Sequence, residues 1–203
     1  LITSKILHLY FGYRNFPVLL IDAQSIISVD KFGNPEEKLI AEKIAEQTSK
    51  FPNQVFLTQG FICSDNFGNI CTLGRGGSDL TASLVGAAIN ASSIQIWTDI
   101  SGLHNNDPRF VDETFPLEEL SFNEAAELAY FGAKILHPVC ILPAKEKNIP
   151  VFLKNTLKPN ETGTIITSRT NQNGIKAIAA KDDITIIKIK SARMLMSHGF
   201  LKR

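Results

Sequence analysis

The sequence predicts an α/β sheet protein, and three observations carry that prediction. Short apolar runs recur at 17–22, 55–61, 93–99 and 150–155, and runs of this length are consistent with strands buried in a parallel sheet. Between them lie segments whose apolar or small residues fall at helical spacing. A glycine-rich turn, Thr72-Leu73-Gly74-Arg75-Gly76-Gly77-Ser78-Asp79, leads directly into one such segment, 80–91. Strands and helices in alternation build a sheet with crossover helices. The 203 residues suit one large domain, or one domain plus part of another.

Taken in order, Ile2, Ile6, Leu7 and Tyr10 give helical spacing over 1–11. Pro17-Val18-Leu19-Leu20-Ile21-Asp22 is the first strand. Asn34-Pro35-Glu36-Glu37 predicts a helix start, with Asn34 as cap and Pro35 in the first turn, and Ile40, Ala41 and Ile44 on the buried face. The run 55–61 is a strand, and Ser64-Asp65-Asn66-Phe67-Gly68-Asn69 is turn chemistry that predicts a projecting hairpin. The glycine-rich turn and its helix follow, then the strand 93–99, which ends on Thr98 and Asp99. Residues 101–109 are a loop long enough to fold over a ligand. Ser121-Phe122-Asn123-Glu124 is a capping box opening a helix that runs to Phe131 and stops at Gly132. After the strand 150–155 comes a loop over 158–163. The polar stretch 171–174 marks a domain boundary, giving units 1–170 and 174–203, and 175–190 reads as a strand with Thr185, Ile187 and Ile189 on one face. A start at Leu1 and an end just past a helix start lead us to expect a piece of a longer protein.

Composition excludes several classes. With 21 basic and 20 acidic residues, no nucleic-acid surface spreads over the whole protein, though a local anion site remains open. No apolar run approaches a membrane span. Cys63, Cys71 and Cys140 are odd in number and form no CxxC pair, so free thiols in a reduced, cytoplasmic compartment are expected. Cys63 and Cys71 flank the predicted hairpin and can face each other across it. The four histidines are scattered, and no Cys/His cluster supports a metal cage.

The chemistry gathers at the glycine-rich turn. Glycine lets a backbone approach a ligand, and the first amides of a helix lack internal partners. Arg75 adds a planar fork suited to a carboxylate or phosphate. Asp79 adds a negative charge beside it. Thr98 and Asp99 end a strand, where open α/β sheets bind ligands. There is no GxxxxGK[ST] phosphate loop and no GxSxG elbow. A dinucleotide fingerprint beginning at Gly74 would need glycine at position 79, where Asp79 would repel a pyrophosphate; only the spacing to Asp99 favours that reading. On residue type alone, Lys134 is a helix-end cation and Arg109 a charge on a surface turn.

Four blocks together resemble the aspartate kinase family. They are the turn Thr72–Asp79, the strand end Ile96-Trp97-Thr98-Asp99, the segment closing on Asp107-Pro108-Arg109, and Phe131-Gly132-Ala133-Lys134-Ile135-Leu136-His137-Pro138. Their order and spacing match the family, and the likeness covers nearly the whole chain. The tail, with Arg193-Met194-Leu195-Met196-Ser197-His198-Gly199-Phe200-Leu201, resembles the start of an ACT regulatory region, most like the lysine-sensitive, single-function branch.

The resemblance implies a partial three-layer α/β/α amino-acid kinase (carbamate kinase-like) fold with the start of an ACT domain. It implies transfer of the γ-phosphoryl of Mg-ATP to the side-chain carboxylate of L-aspartate. Arg75, Gly76, Gly77, Ser78 and Asp79 would bind aspartate; Thr98, Asp99, His104, Arg109, Lys134 and Ile135 would bind the nucleotide; Asp79 and Lys134 would be catalytic. ATP and Mg2+ are the implied cofactors, with no protein metal site. Met194, Ser197 and Leu201 would contact a lysine effector, and a homodimer would form through the complete ACT region. Two departures stand out. His104 occupies a position that is usually aromatic or long and apolar. The family's N-terminal glycine-rich segment, with its catalytic lysine, has no counterpart in these residues, so this chain alone is expected not to turn over. The competing readings are another amino-acid kinase, acting on acetylglutamate, glutamate or UMP, and a non-catalytic effector-binding or assembly module.

Overall fold

The structure, a computed structural model, describes residues 2–107, 110–131, 136–169, 174–180 and 185. Helix α1 (Ile2–Tyr13) comes first, ending two residues later than its apolar spacing predicts. Strand β1 (Val18–Ile21) follows, then the short helix α2 (Ala23–Ile26) and helix α3 (Glu37–Ser49). Strand β2 (Val55–Thr58) pairs in parallel with β1, Val18 opposite Val55 and Ile21 opposite Thr58. The predicted strand 55–61 ends three residues early. Gln59 is buried, and its side-chain carbonyl accepts from the Ala23 amide at 2.7 Å, which ties the strand end to α2.

Strands β3 (Ile62–Ser64) and β4 (Ile70–Thr72) form the predicted hairpin, with Cys63 directly opposite Cys71. Helix α4 (Gly77–Ala88) opens three residues earlier than its apolar pattern suggests and packs on α3. Strand β5 (Ile94–Thr98) lies at one edge of a four-stranded sheet completed by β6 (Glu119–Ser121), β7 (Val151–Asn155) and β8 (Thr164–Thr167). The order is β5-β7-β8-β6; β5 runs parallel to β7, β8 antiparallel to β7, and β6 parallel to β8. Val151, Leu153, Ile166 and Leu120 fill its buried face. Helix α5 (Phe122–Phe131) begins on the predicted capping box: the Glu124 carboxylate accepts from the Ser121 amide at 2.7 Å, and the Glu124 amide donates to the Ser121 hydroxyl at 3.2 Å. A 3-10 turn (Pro138–Ile141) then runs into helix α6 (Leu142–Glu146), and both pack against α4.

The predicted cap of α3 is wrong. Glu36, not Asn34, precedes the helix, and no side chain caps it. Asn34 is already committed to a turn: one Asp30 carboxylate oxygen accepts from the Phe32 and Asn34 amides at 2.8 Å each, and the Asn34 side chain donates to the other at 3.1 Å. Pro35 bridges back to Val29, so it is extended rather than helical. The same five-residue turn recurs at Asp65–Asn69. There Asp65 accepts from the Phe67 and Asn69 amides at 2.8 Å each and from the Asn69 side chain at 3.0 Å. The sequence carries the repeat as Asp-x-Phe-Gly-Asn, and Gly33 and Gly68 both sit at positive φ, +84° and +80°. Ser28 and Ser64 bridge in parallel, so the two turns leave the fold side by side.

No strand forms over 174–180, contrary to the strand read across 175–190. This segment lies against α5 instead, where the Lys176 ammonium pairs with Glu124 at 3.0 Å and the Ile178 amide donates to the Asn105 carbonyl at 2.9 Å. The Gly132 helix stop and the remainder of that strand, Thr185 apart, lie outside the described residues.

Candidate active site

The glycine-rich turn does open a helix. Gly76 is the N-cap of α4 at φ +67°, a left-handed conformation that favours glycine. No side chain caps α4. The Gly77 amide is used by the Gly74 carbonyl at 3.1 Å, and Gly76 accepts the first helical bond, from the Leu80 amide at 2.9 Å. Arg75 and Ser78 are exposed, so the guanidinium and the hydroxyl border the open end of the helix. Asp79 sits in the first turn and is half-buried; burial raises its carboxyl above the ordinary aspartate range. The helix N-terminus, an exposed guanidinium and a half-buried carboxyl thus lie within one turn of the chain.

Two loops from elsewhere in the chain hold this turn, and sequence reasoning missed both. Gly60 and Phe61 follow β2 and pack under it. A Cβ on Gly60 would lie 3.1 Å from the Cα of Ser78, and one on Gly77 would lie 2.7 Å from the Phe61 ring. Phe61 adopts φ +74°, unusual for an aromatic residue. Its amide donates to the Thr81 hydroxyl at 3.1 Å, and its carbonyl accepts from the Leu73 amide at 2.9 Å. From the other side come Cys140 of the 3-10 turn and His137, the residue that precedes it. The Cys140 thiol donates to the Gly76 carbonyl at 3.1 Å. Burial, aided by the Asp79 charge, pushes that thiol up to about 11, so it stays protonated and able to donate. The sequence shows tight glycines at the turn but carries no local sign of which distant residues fill the space around them.

Thr98 closes β5, one residue before the predicted end, and Asp99 is exposed just beyond it. Thr98 is fixed by its backbone carbonyl, which accepts from the Thr156 amide at 2.8 Å, and by its hydroxyl, which accepts from the Ile100 amide at 3.1 Å. The following loop is pinned through Thr164, which is buried. Its hydroxyl accepts from the Leu103 amide at 2.9 Å and donates to the Leu117 carbonyl at 2.6 Å. His104 is part-buried, with Nδ1 at 2.9 Å from the Thr114 hydroxyl. Its ring is therefore a tethered flank of the loop. Arg109, Lys134 and Ile135 lie outside the described residues, as do Met194, Ser197 and Leu201.

Among the described residues no group of three or more His, Cys, Asp or Glu side chains is placed to hold a metal, and no helix is long and apolar enough to cross a membrane. Magnesium that arrives on nucleotide phosphates needs only one or two protein carboxylates.

An α/β fold in which a glycine-rich turn opens a helix is a frame that recurs among proteins with phosphate and carboxylate sites. The model of the Amino acid kinase family matches residues 1–155, and the chain belongs to that family, whose α/β/α fold it carries in part. It is 43% identical over 176 residues to lysine-sensitive aspartokinase 3 of Escherichia coli, a match that covers 85% of this chain and 39% of that one. It superimposes on E. coli aspartokinase III solved with aspartate and ADP (TM-score 0.75, 39% identity, 79% of this chain and 37% of that chain). It also matches the same enzyme solved with lysine and aspartate (TM-score 0.74, 38% identity, 83% of this chain and 39% of that chain). This chain thus spans well under half the length of these relatives.

Proposed function

We propose that the complete protein is an aspartate kinase, transferring the γ-phosphoryl of ATP to the β-carboxylate of L-aspartate to give 4-phospho-L-aspartate. The observation that carries this reading is the uncapped N-terminus of α4 at Gly76, bordered by Arg75 and Asp79. The chain's likeness to E. coli aspartokinase III, solved with aspartate and ADP, supports it.

In this reading Arg75 grips the α-carboxylate through its planar fork, helped by Gly76, Gly77 and the Ser78 hydroxyl at the helix end. Asp79 accepts the α-ammonium or orients a catalytic lysine supplied by the rest of the protein. Its raised carboxyl is then drawn back to the ionised form by the cation it receives. Thr98 and Asp99 contact the nucleotide at the strand end, His104 flanks it, and Arg109, Lys134 and Ile135 complete that side, with Lys134 acting on the phosphates. Magnesium bound with ATP would neutralise charge on the transferring phosphoryl. The protein's own part is to position and to stabilise charge, which is most of what phosphoryl transfer requires.

The remaining proposals concern the whole protein. Residues 174–203 begin an ACT regulatory region in which Met194, Ser197 and Leu201 contact lysine as a feedback effector. The complete region pairs into a homodimer, and the protein is cytoplasmic and serves lysine, methionine and threonine synthesis. The test is ATP consumption by the complete protein with L-aspartate as sole acceptor, with and without lysine. Aspartate-dependent turnover suppressed by lysine is expected. Turnover indifferent to lysine would remove the effector reading, and a folded protein without aspartate-dependent turnover would overturn the kinase reading.

A further inference from the structure

The carbonyl of Gly76 has two donors. One is the Leu80 amide at 2.9 Å, the first bond of α4; the other is the Cys140 thiol at 3.1 Å, brought by the 3-10 turn 64 positions downstream. The same sulfur occupies the space where a side chain at position 76 would begin: an ideal Cβ there would lie 2.6 Å from Cys140 Sγ and 2.9 Å from His137 Cβ. Cys140 is fully buried. Its own amide is bonded to the His137 carbonyl at 2.9 Å, so the thiol is delivered by a short, closed turn.

We propose that Cys140 is a positioning residue for the substrate turn, holding the Gly76 carbonyl so that Arg75 and the first amides of α4 are presented to the acceptor in one geometry. The proposal rests on the reading that this turn receives the acceptor's α-carboxylate. Cys140 touches no substrate. It acts on Gly76, which is the hinge between Arg75 and the helix. With the thiol gone, the left-handed turn keeps its helical bond but loses its lateral anchor, and the guanidinium and the helix end no longer move as one unit. A hydrogen bond to a neutral acceptor is worth enough to change acceptor affinity roughly three- to tenfold when lost.

The experiment compares Cys140→Ser, which keeps a donor, with Cys140→Ala and with Cys140→Val, which keeps bulk and loses the donor, all in the complete protein. Expected are a rise in KM for L-aspartate of roughly three- to tenfold in the Ala and Val variants, an unchanged KM for ATP, and a near-normal KM for aspartate in the Ser variant. Amide hydrogen exchange over residues 74–80, read on the same samples, is expected to quicken in Ala and Val and not in Ser. Folded Ala and Val variants with wild-type aspartate KM and wild-type exchange would overturn the proposal. So would a Ser variant as impaired as Ala. Should the wild type show no aspartate-dependent turnover, the kinase reading falls, while the exchange comparison still decides whether Cys140 anchors the turn.

Discussion

At the scale of single residues, Asp79 is the group whose environment works against it. Burial raises its carboxyl, so the folded state carries a penalty for the ionised form. That penalty is absent below the ordinary aspartate value of 3.8, where folded and unfolded chains are both protonated. It grows as pH rises through that value to the raised one, and is fully present at neutral pH. Asp79→Asn is therefore expected to raise the urea midpoint at pH 7 and to lose aspartate-dependent turnover in the complete protein. A variant less stable than wild type would show that burial does not penalise the charge, and one that keeps full activity would show that turnover does not need it. The sequence made Arg75 and Asp79 legible because they are neighbours of the glycines. Phe61 and Cys140 were not legible, since their roles come from contacts across the fold. Phe61 at φ +74° looks in the sequence like any strand aromatic.

At the scale of elements, the signals that survived folding were those closed within a few residues. The α5 capping box is such a signal: Ser121 and Glu124 satisfy each other's amides, as their spacing predicts. Ser121→Ala is expected to lower stability by about 1 kcal/mol, measured by urea denaturation, because a first-turn amide loses its acceptor. No measurable loss would mean that the Lys176–Glu124 pair holds the helix start by itself. The failed cap at Asn34 shows the limit of local reading. Asparagine followed by proline is a helix start only when asparagine has no other partner, and here Asp30 takes both its amide and its side chain. The two Asp-x-Phe-Gly-Asn turns are legible once one is seen, since identical residues build identical hydrogen bonds. They hold Phe32 and Phe67 out in solvent at 76% and 87% exposure, so the turn is specified by the aspartate and asparagine rather than by aromatic burial. Strands β6 and β8 escaped notice because three or four residues carry too little period to count.

At the scale of the whole molecule, the sheet order β5-β7-β8-β6 depends on pairings between distant segments, and no local pattern encodes it. What the sequence does carry is the charge behaviour of the fold. Hydrogen bonds from the Asn34 and Asn69 segments hold Asp30 and Asp65 below the ordinary aspartate range. Ser101 and Lys158 do the same for Glu161. At Glu124 burial pushes upward, but the bonds from Ser121 and Lys176 outweigh it, and the net shift is down. A carboxylate lowered in the folded state contributes stability that is present above its ordinary value, 3.8 for aspartate or 4.5 for glutamate, and is lost as pH falls through the lowered one. Asp79 runs the other way and relieves its penalty as pH falls through its raised value. The urea midpoint is therefore expected to rise slightly on mild acidification, pass through a maximum, and fall below about pH 4. Asp79→Asn should abolish the rise and leave the fall. The double variant Asp30→Asn, Asp65→Asn should keep the rise and make the fall shallower, because its two turns no longer depend on ionised carboxylates. An acid limb of unchanged steepness in that double variant would mean the paired turns do not carry the acid sensitivity. The loss would then have to be sought at Glu124 and Glu161, on the far side of the fold's sequence.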